Sequence, residues 1–302
     1  MNKVIRIGTR DSQLAMWQAK TVQEKLEKFG YQIQLVPVKS TGDLILDKPL
    51  YELGITGIFT KTLDVAMLSG KVDIAVHSMK DVPTLLPKGI VQTAVLTRAS
   101  VEDILVTKGS FTPEKQCTIA TGSLRRKAQW LHTYPHHTVV DLRGNVNTRL
   151  QKLSDNTWQG AIFAKAGLER IDVLPENYIK LDWMTPAPAQ GAMVIVSIEN
   201  DAFCKEATSK LNDRSAEICT HIEREFLRTL EGGCTAPIGA IAKIEKSEIS
   251  FKGVLFSLDG QTKLEIKKRV PVENYYGFGE ECANEILANG GLELMKLIKD
   301  GR

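Results

Sequence analysis

Long apolar runs are missing from this sequence. None approaches the roughly 18 residues that a membrane-spanning helix needs, and the opening MNKVIRIGTR does not have the apolar stretch of an export signal. The expectation is a cytosolic chain. Cysteine is scarce too: Cys117, Cys204, Cys219, Cys234 and Cys282 are odd in number and show no C-x-x-C spacing, which argues against a disulfide framework and a zinc knuckle. The histidines have no metal-ligand spacing either. Net charge is close to zero, with 39 Lys+Arg against 36 Asp+Glu giving +3, too little to argue for a nucleic-acid or membrane partner. Aromatic residues make up 6% and do not interleave with basic ones, which further disfavours nucleic acid. Fixed-period repeats and low-complexity tracts are also absent.

What remains is an ordinary globular composition over 302 residues, enough for two or three domains. The first half alternates strand-like and helix-like stretches. VIRIGT leads into a helix with Ala15, Ala19, Val22, Leu26 and Phe29 on one face, and QIQLVPV follows as a strand. After the Gly-rich loop GITGIFT come a helical TLDVAMLSG and the short strand DIAVHS, until Pro83 and Pro87 break the pattern. A second set runs through DILVT, TIATGS with a helix to Trp130, TVVDL with a helix to Leu153, and GAIFA. Repeated β-α units of this kind predict mostly parallel sheets flanked by helices. MTPAPAQGAM reads as a return crossing, and MVIVSI as a strand that rejoins the first sheet.

From Asn212 to Leu230 an amphipathic helix carries Ile218, Ile222 and Phe226 on one face and stops at Gly232-Gly233. Antiparallel-type alternation follows, with Asp259-Gly260 as a hairpin signal and a helix over about Tyr276 to Leu287. The expected division is 1–96 with 194–211 as a discontinuous α/β domain, 97–193 as a second α/β domain, and 212–302 as an α+β domain.

In open parallel sheets ligands bind beyond the carboxyl ends of the strands. Those positions here carry Arg10, then Lys80 and Asp81, then Ser123, Arg125 and Arg126, then Arg143 and Gly144, then Lys165. A guanidinium presents a rigid fork of donors that matches carboxylate or phosphate two bonds at a time. One such arginine is most often a solvated surface charge, but basic residues at five corresponding strand ends predict an anion-binding cleft. Asp81 is the acidic exception, and two readings stand: a turn or N-cap aspartate before Val82-Pro83, or a group that partners positive charge on a substrate. Cys234, in EGGCTAPIG, follows a helix C-terminus with no histidine nearby, so it lacks the surroundings of an activated thiol. Two readings stand: a buried, inert cysteine, the commoner state of such a residue, or a thiol that forms one lasting bond and so needs no such activation. His77 reads as a strand-end residue with a satisfied ring, and GITGIFTK either covers the site or only connects.

GTRDSQLAMWQA, HSMKDVP, GSLRRK, LRGNVNTRL, AGLER and EGGCTAPIG, in this order and spacing, resemble the hydroxymethylbilane synthase (porphobilinogen deaminase) family. The resemblance implies two parallel or mixed-sheet α/β domains like periplasmic-binding-protein lobes, plus a C-terminal α+β domain. It further implies a transferase of tetrapyrrole and heme biosynthesis that joins four porphobilinogen units head to tail, releasing ammonia each time, and then hydrolyses the product free. The primer would be dipyrromethane held by a thioether to Cys234. Asp81 matches the catalytic aspartate, which pairs with pyrrole N–H groups and stabilises the cation formed as ammonia leaves. Lys80, Asp81, Ser123, Arg125, Arg126, Arg143 and Gly144 match cofactor-binding positions. Arg10, Arg149, Arg170, Lys61 and Gln190 match substrate-binding ones. The implied protein is a monomer whose partner is porphobilinogen, with no metal, nucleic acid or membrane. Three positions depart from the family pattern: Thr56 replaces a loop lysine, Lys165 an apolar or small residue, and Ala189 a glycine.

Rival readings are a two-lobed anion-binding module without catalysis and a nucleic-acid binder. The placement of Asp81 speaks against the first and the modest net charge against the second.

Overall fold

Alternation in VIRIGT buries Ile5 and Ile7 on one face of strand β1 (Val4–Thr9), while Val4 stays exposed. In the computed structural model, which describes residues 3–39, 60–230 and 236–300, this strand is the second in the order of the first of three sheets. Helix α1 (Gln13–Lys28) starts at Ser12, whose Oγ accepts from the Ala15 N–H at 3.4 Å, and buries Ala19, Val22 and Leu26. Phe29 departs from the expected face. It caps the helix and is exposed, because Gly30 at φ +84° turns the chain out of the helix there.

Strand β2 (Gln32–Pro37), helix α2 (Lys61–Leu68), β3 (Ile74–Ser78) and β4 (Ile90–Val95) follow. The sheet order is β2-β1-β3-β10-β4, in which β10 (Met193–Ile198) enters antiparallel to both neighbours, so MVIVSI rejoins the first sheet. Sequence periodicity had not separated β4 from the proline-rich stretch before it.

The second sheet has the order β7-β6-β8-β5-β9, formed by β5 (Asp103–Thr107), β6 (Thr118–Ala120), β7 (Thr138–Val140), β8 (Gly160–Ala164) and β9 (Tyr178–Lys180). Strands β6, β7 and β8 are parallel and β5 is antiparallel to β8, with Asp103 opposite Ala164. The head of β5 therefore lies at the edge where β6, β7 and β8 end. Helices α3 (Leu124–Thr133), α4 (Val146–Asp155) and α5 (Lys165–Glu169) each begin at that edge. Their apolar faces and the strands enclose two cores, one around Ile104, Phe163 and Leu168 and one around Ile119, Trp130 and Ile162.

After α6 (Ala202–Ser209), helix α7 (Arg214–Thr229) buries Ile218, Ile222 and Phe226 as its spacing predicted. They pack on the antiparallel sheet β11 (Ile238–Glu245), β12 (Glu248–Phe256) and β13 (Lys263–Pro271), together with α8 (Phe278–Ile286) and α9 (Leu292–Asp300). A side chain at Gly253 would run into the Phe226 ring at 2.5 Å, so glycine there lets the ring reach the sheet. The chain forms two compact units. One contains the first sheet and Gly191–Glu217, and the other contains Ser100–Gln190 and Ile218–Arg302, hence both the second and third sheets. No helix among the described residues is long and apolar enough to cross a membrane.

Candidate active site

In the first unit the parallel strands β1 and β3 end on the residues the motifs singled out. Arg10 follows β1 directly, and a single 3-10 turn, Met79–Asp81, follows β3. The turn is pinned on both sides: the Met79 N–H donates to Ala192 O at 3.0 Å, and Val82 N–H to Met79 O at 3.2 Å. Lys80 and Asp81 are both half-buried at this edge. The α1 residue Gln18 reaches across to donate to Ser78 Oγ at 2.8 Å. His77 is buried, and its Nε2 has no hydrogen-bond partner among the described residues, so the satisfied ring expected from sequence is not what is found. Burial, reinforced by the Arg10 charge, pushes the His77 pKa down to about 4. This imidazole is neutral near pH 7. Lys61 is the exposed first residue of α2, while Thr56 and most of GITGIFTK lie outside the described residues.

The second unit carries the other candidate arginines. Ser123 caps α3, accepting from the Arg126 N–H at 3.4 Å, and this start places Arg125 and Arg126 on the inner face of the helix's first turn. Both are 5% exposed. They meet at one carboxylate that the motif reading passed over. Asp103, 0% exposed, takes Arg125 Nη1 on Oδ2 at 2.7 Å, and on Oδ1 takes Arg126 Nε at 3.0 Å and Arg126 Nη2 at 2.8 Å. Burial alone would raise the Asp103 pKa, but the two guanidinium groups outweigh it and hold the carboxyl well below the ordinary range. Asp103 is therefore a fixed negative charge and not an acid or base near neutrality. The signal for it was an acidic residue heading the apolar run DILVT. What joined it to the arginines was the antiparallel insertion of β5, which no local pattern reports.

Arg125 also donates from Nη1 to Thr185 O at 2.7 Å, and Arg126 from Nη1 to Ile162 O at 3.0 Å. Gln190, 0% exposed, spends both amide N–H groups inside this network, on Val101 O at 2.8 Å and Asp103 Oδ1 at 3.0 Å.

Next along the same edge, Leu142-Arg143-Gly144 follows β7. Gly144 has φ +114°, and a Cβ there would meet Thr148 at 2.7 Å, so glycine is required between Arg143 and the α4 cap Asn145. Asn145 Oδ1 accepts from Thr148 N–H at 2.9 Å. Arg149, on the first turn of α4, donates from Nε to Gly144 O at 2.7 Å. Burial lowers the pKa of Arg143, opposed by Asp141, and lowers that of Arg170 to about 10, opposed by Glu169. Lys165 lies against Glu102 at 3.5 Å and Glu169 at 3.3 Å, so its charge is met by carboxylates of its own unit. Cys234 lies outside the described residues.

Residues 5–235 match the family model "Porphobilinogen deaminase, dipyromethane cofactor binding domain", and residues 217–288 match "Porphobilinogen deaminase, C-terminal domain". The chain belongs to the porphobilinogen deaminase family. It is 39% identical to the porphobilinogen deaminase of Campylobacter hominis, over 98% of each chain. Identity is 41% with that of Chloroherpeton thalassium, again over 98% of each, and 42% with that of a Campylobacter jejuni strain, over 96% of this chain and 97% of that protein. Among solved structures, an ABC transporter periplasmic substrate-binding protein from Coxiella burnetii is a distant likeness, with a TM-score of 0.44 and 14% identity over 70% of this chain and 94% of that one.

The side chains present fit the cofactor of a porphobilinogen deaminase. Dipyrromethane carries acetate and propionate carboxylates, and the edge of the second sheet offers guanidinium groups withdrawn from water. Arg125 Nε in particular is buried without a hydrogen-bond partner among the described residues. A buried cation with spare donors is stabilised by an arriving carboxylate more than a solvated one is.

Proposed function

We propose that this chain is a hydroxymethylbilane synthase, a transferase of tetrapyrrole and heme biosynthesis acting in the cytoplasm as a monomer. It would join four porphobilinogen units head to tail with loss of ammonia at each step, and release hydroxymethylbilane by hydrolysis. The observation that carries the reading is the match of residues 5–235 to a dipyrromethane-binding domain whose strand-end positions hold this arginine set. When bound, dipyrromethane supplies the nucleophilic pyrrole position to which the first substrate is joined. Cys234 anchors it through a thioether, a bond made once, which suits a thiol without activating neighbours.

Each addition breaks the C–N bond of an aminomethyl group and forms a C–C bond at a free pyrrole carbon, which gives up its proton. Asp81, held at the end of β3 by the pinned turn, accepts pyrrole N–H hydrogen bonds and places negative charge opposite the cation that develops as ammonia departs. Ser123, Arg125, Arg126, Arg143, Gly144 and Lys80 form the cofactor's surroundings, and Arg10, Arg149, Arg170 and Lys61 hold substrate carboxylates. Gln190 acts through Asp103, on which its amide is spent. The division into 1–96 with 194–211, 97–193 and 212–302 belongs to this proposal, supported at its last boundary by the separate family model that begins at residue 217.

The test is Asp81→Asn, measured by intact mass and by steady-state turnover of porphobilinogen. The expected variant carries the pyrrole adduct yet loses at least about 100-fold in kcat, the size seen when one group stabilising transition-state charge is removed. A kcat within about threefold of wild type, equivalent to only about 0.65 kcal/mol of barrier, would refute the charge role.

A further inference from the structure

The segment from Thr185 to Gln190 links the candidate arginines to helix α7 through one buried acid, Glu223. Ala187, Pro188, Ala189 and Gln190 make a reverse turn closed by Gln190 N–H to Ala187 O at 2.9 Å. Ala189, its third residue, has φ +62°. Proline second and positive φ third are the marks of a type II turn, whose third position normally needs glycine. Alanine stands there instead, fully buried at 0% exposed. An L-residue adopts the left-handed region only when its surroundings hold it there.

Glu223 supplies that hold. It is 0% exposed, and its Oε2 accepts from the Ala189 N–H at 2.6 Å, while Oε1 accepts from the Ala242 N–H on β11 at 2.8 Å. Other bonds fix the segment on either side: Ala240 N–H to Pro186 O at 3.0 Å, and Thr185 to the Gln129 amide of α3 through bonds of 2.7 and 2.9 Å. The turn in turn aims Gln190 at Asp103, and Asp103 spreads Arg125 and Arg126. Donors from Arg125, Arg126 and Gln190 converge on the fully buried Asp103 carboxylate, three on Oδ1 and one on Oδ2, so it serves to hold these side chains.

We propose that Glu223 is a positioning residue, which holds Ala189 in its left-handed turn and so, through Gln190 and Asp103, sets the geometry in which Arg125 and Arg126 meet carboxylates of cofactor and substrate. The proposal rests on the functional reading above for the identity of those carboxylates. It makes a demand that general packing does not: glycine at 189 needs no hold, so it should relieve the loss of Glu223.

The variants are Glu223→Gln, Ala189→Gly and the pair together, each read by thermal melting, by the fraction of purified protein carrying the adduct in intact-mass spectra, and by KM and kcat for porphobilinogen. In Glu223→Gln the amide must turn its N–H toward one of the two backbone donors. The expected result is a partly loaded protein with KM raised about tenfold, the equivalent of one buried bond, and kcat changed less than about threefold. Adding Ala189→Gly should bring loading and KM back to within about twofold of the Ala189→Gly single variant. A double variant as impaired as Glu223→Gln, or a Glu223→Gln protein with full loading and wild-type KM, overturns the proposal. Should Glu223→Gln fail to fold, recovery of folding by Ala189→Gly supports it and continued failure counts against it. Gln190→Met then reads the next link: raised KM supports the relay, and normal loading with normal KM overturns it. A wild type without adduct would remove the functional reading itself, a result distinct from any of these.

Discussion

Asp103 shows how one residue fixes the electrostatics of a site it does not enter. It is the only carboxylate bonded to both Arg125 and Arg126 among the described residues, and it sits fully buried between them. Removing one partner from such a group leaves uncompensated buried charge, so Asp103→Asn should cost about 3–5 kcal/mol at pH 7. The pH dependence has a definite sign. Burial opposes ionisation, but Arg125 and Arg126 prevail and depress the folded-state pKa of Asp103, so its stabilisation is complete above the unfolded value of about 3.9 and fades as pH falls through the folded value. Urea unfolding of wild type and Asp103→Asn should therefore differ by a constant amount above about pH 5, and by less and less below about pH 4. A difference that stays the same from pH 7 to pH 3 would show that the carboxylate's charge is not what holds the arginines.

At the scale of elements, the strand ends were legible because each β-α unit of the second sheet is local in sequence: TIATGSLRR and VVDLRGN each contain a strand, its end and the cap of the next helix within ten residues. The hairpin Asp259-Gly260 was legible for the same reason, since turn chemistry is written in adjacent residues. Strands β4 and β9 and helices α6 and α9 were not, being short or lying beside prolines and glycines that dilute their period. Nor could local pattern show that the turn after β12 docks on α3. His132 Nδ1 donates to Gly260 O at 2.7 Å, and the His132 ring meets Phe256 edge-on at 5.3 Å. Gly260 has φ +77°, and a side chain there would strike the backbone of Ala128 and come within 2.8 Å of His132 N. Gly260→Ala should lower stability by at least about 2 kcal/mol, combining the left-handed penalty with the clash. That corresponds to a melting temperature about 4 °C or more below wild type. An unchanged melting curve would mean that this docking is not rigid.

Across the whole molecule, the two five-stranded sheets repeat one order. In each, three parallel strands are followed by an antiparallel one and then a last strand, β2-β1-β3-β10-β4 and β7-β6-β8-β5-β9. The parallel part follows from β-α units met in sequence, whereas β5 and β10 are inserted from the connections between the sheets. This is why the candidate motifs could be placed on strand ends from sequence while Asp103, Gln190 and Glu223 could not: their side-chain contacts join residues 19 to 89 positions apart. Departures from the family pattern gain physical content in the same way. Ala189 occupies a position whose φ of +62° calls for glycine, and Lys165 is met by Glu102 and Glu169 of its own unit. The central claim is that arginines at these strand ends serve a pyrrole primer fixed to Cys234. Intact-mass spectrometry of the purified protein tests it most directly. The account predicts a wild-type mass above that of the sequence by one dipyrromethane, and a Cys234→Ala mass equal to its sequence. A fully active wild type at the bare sequence mass would contradict it.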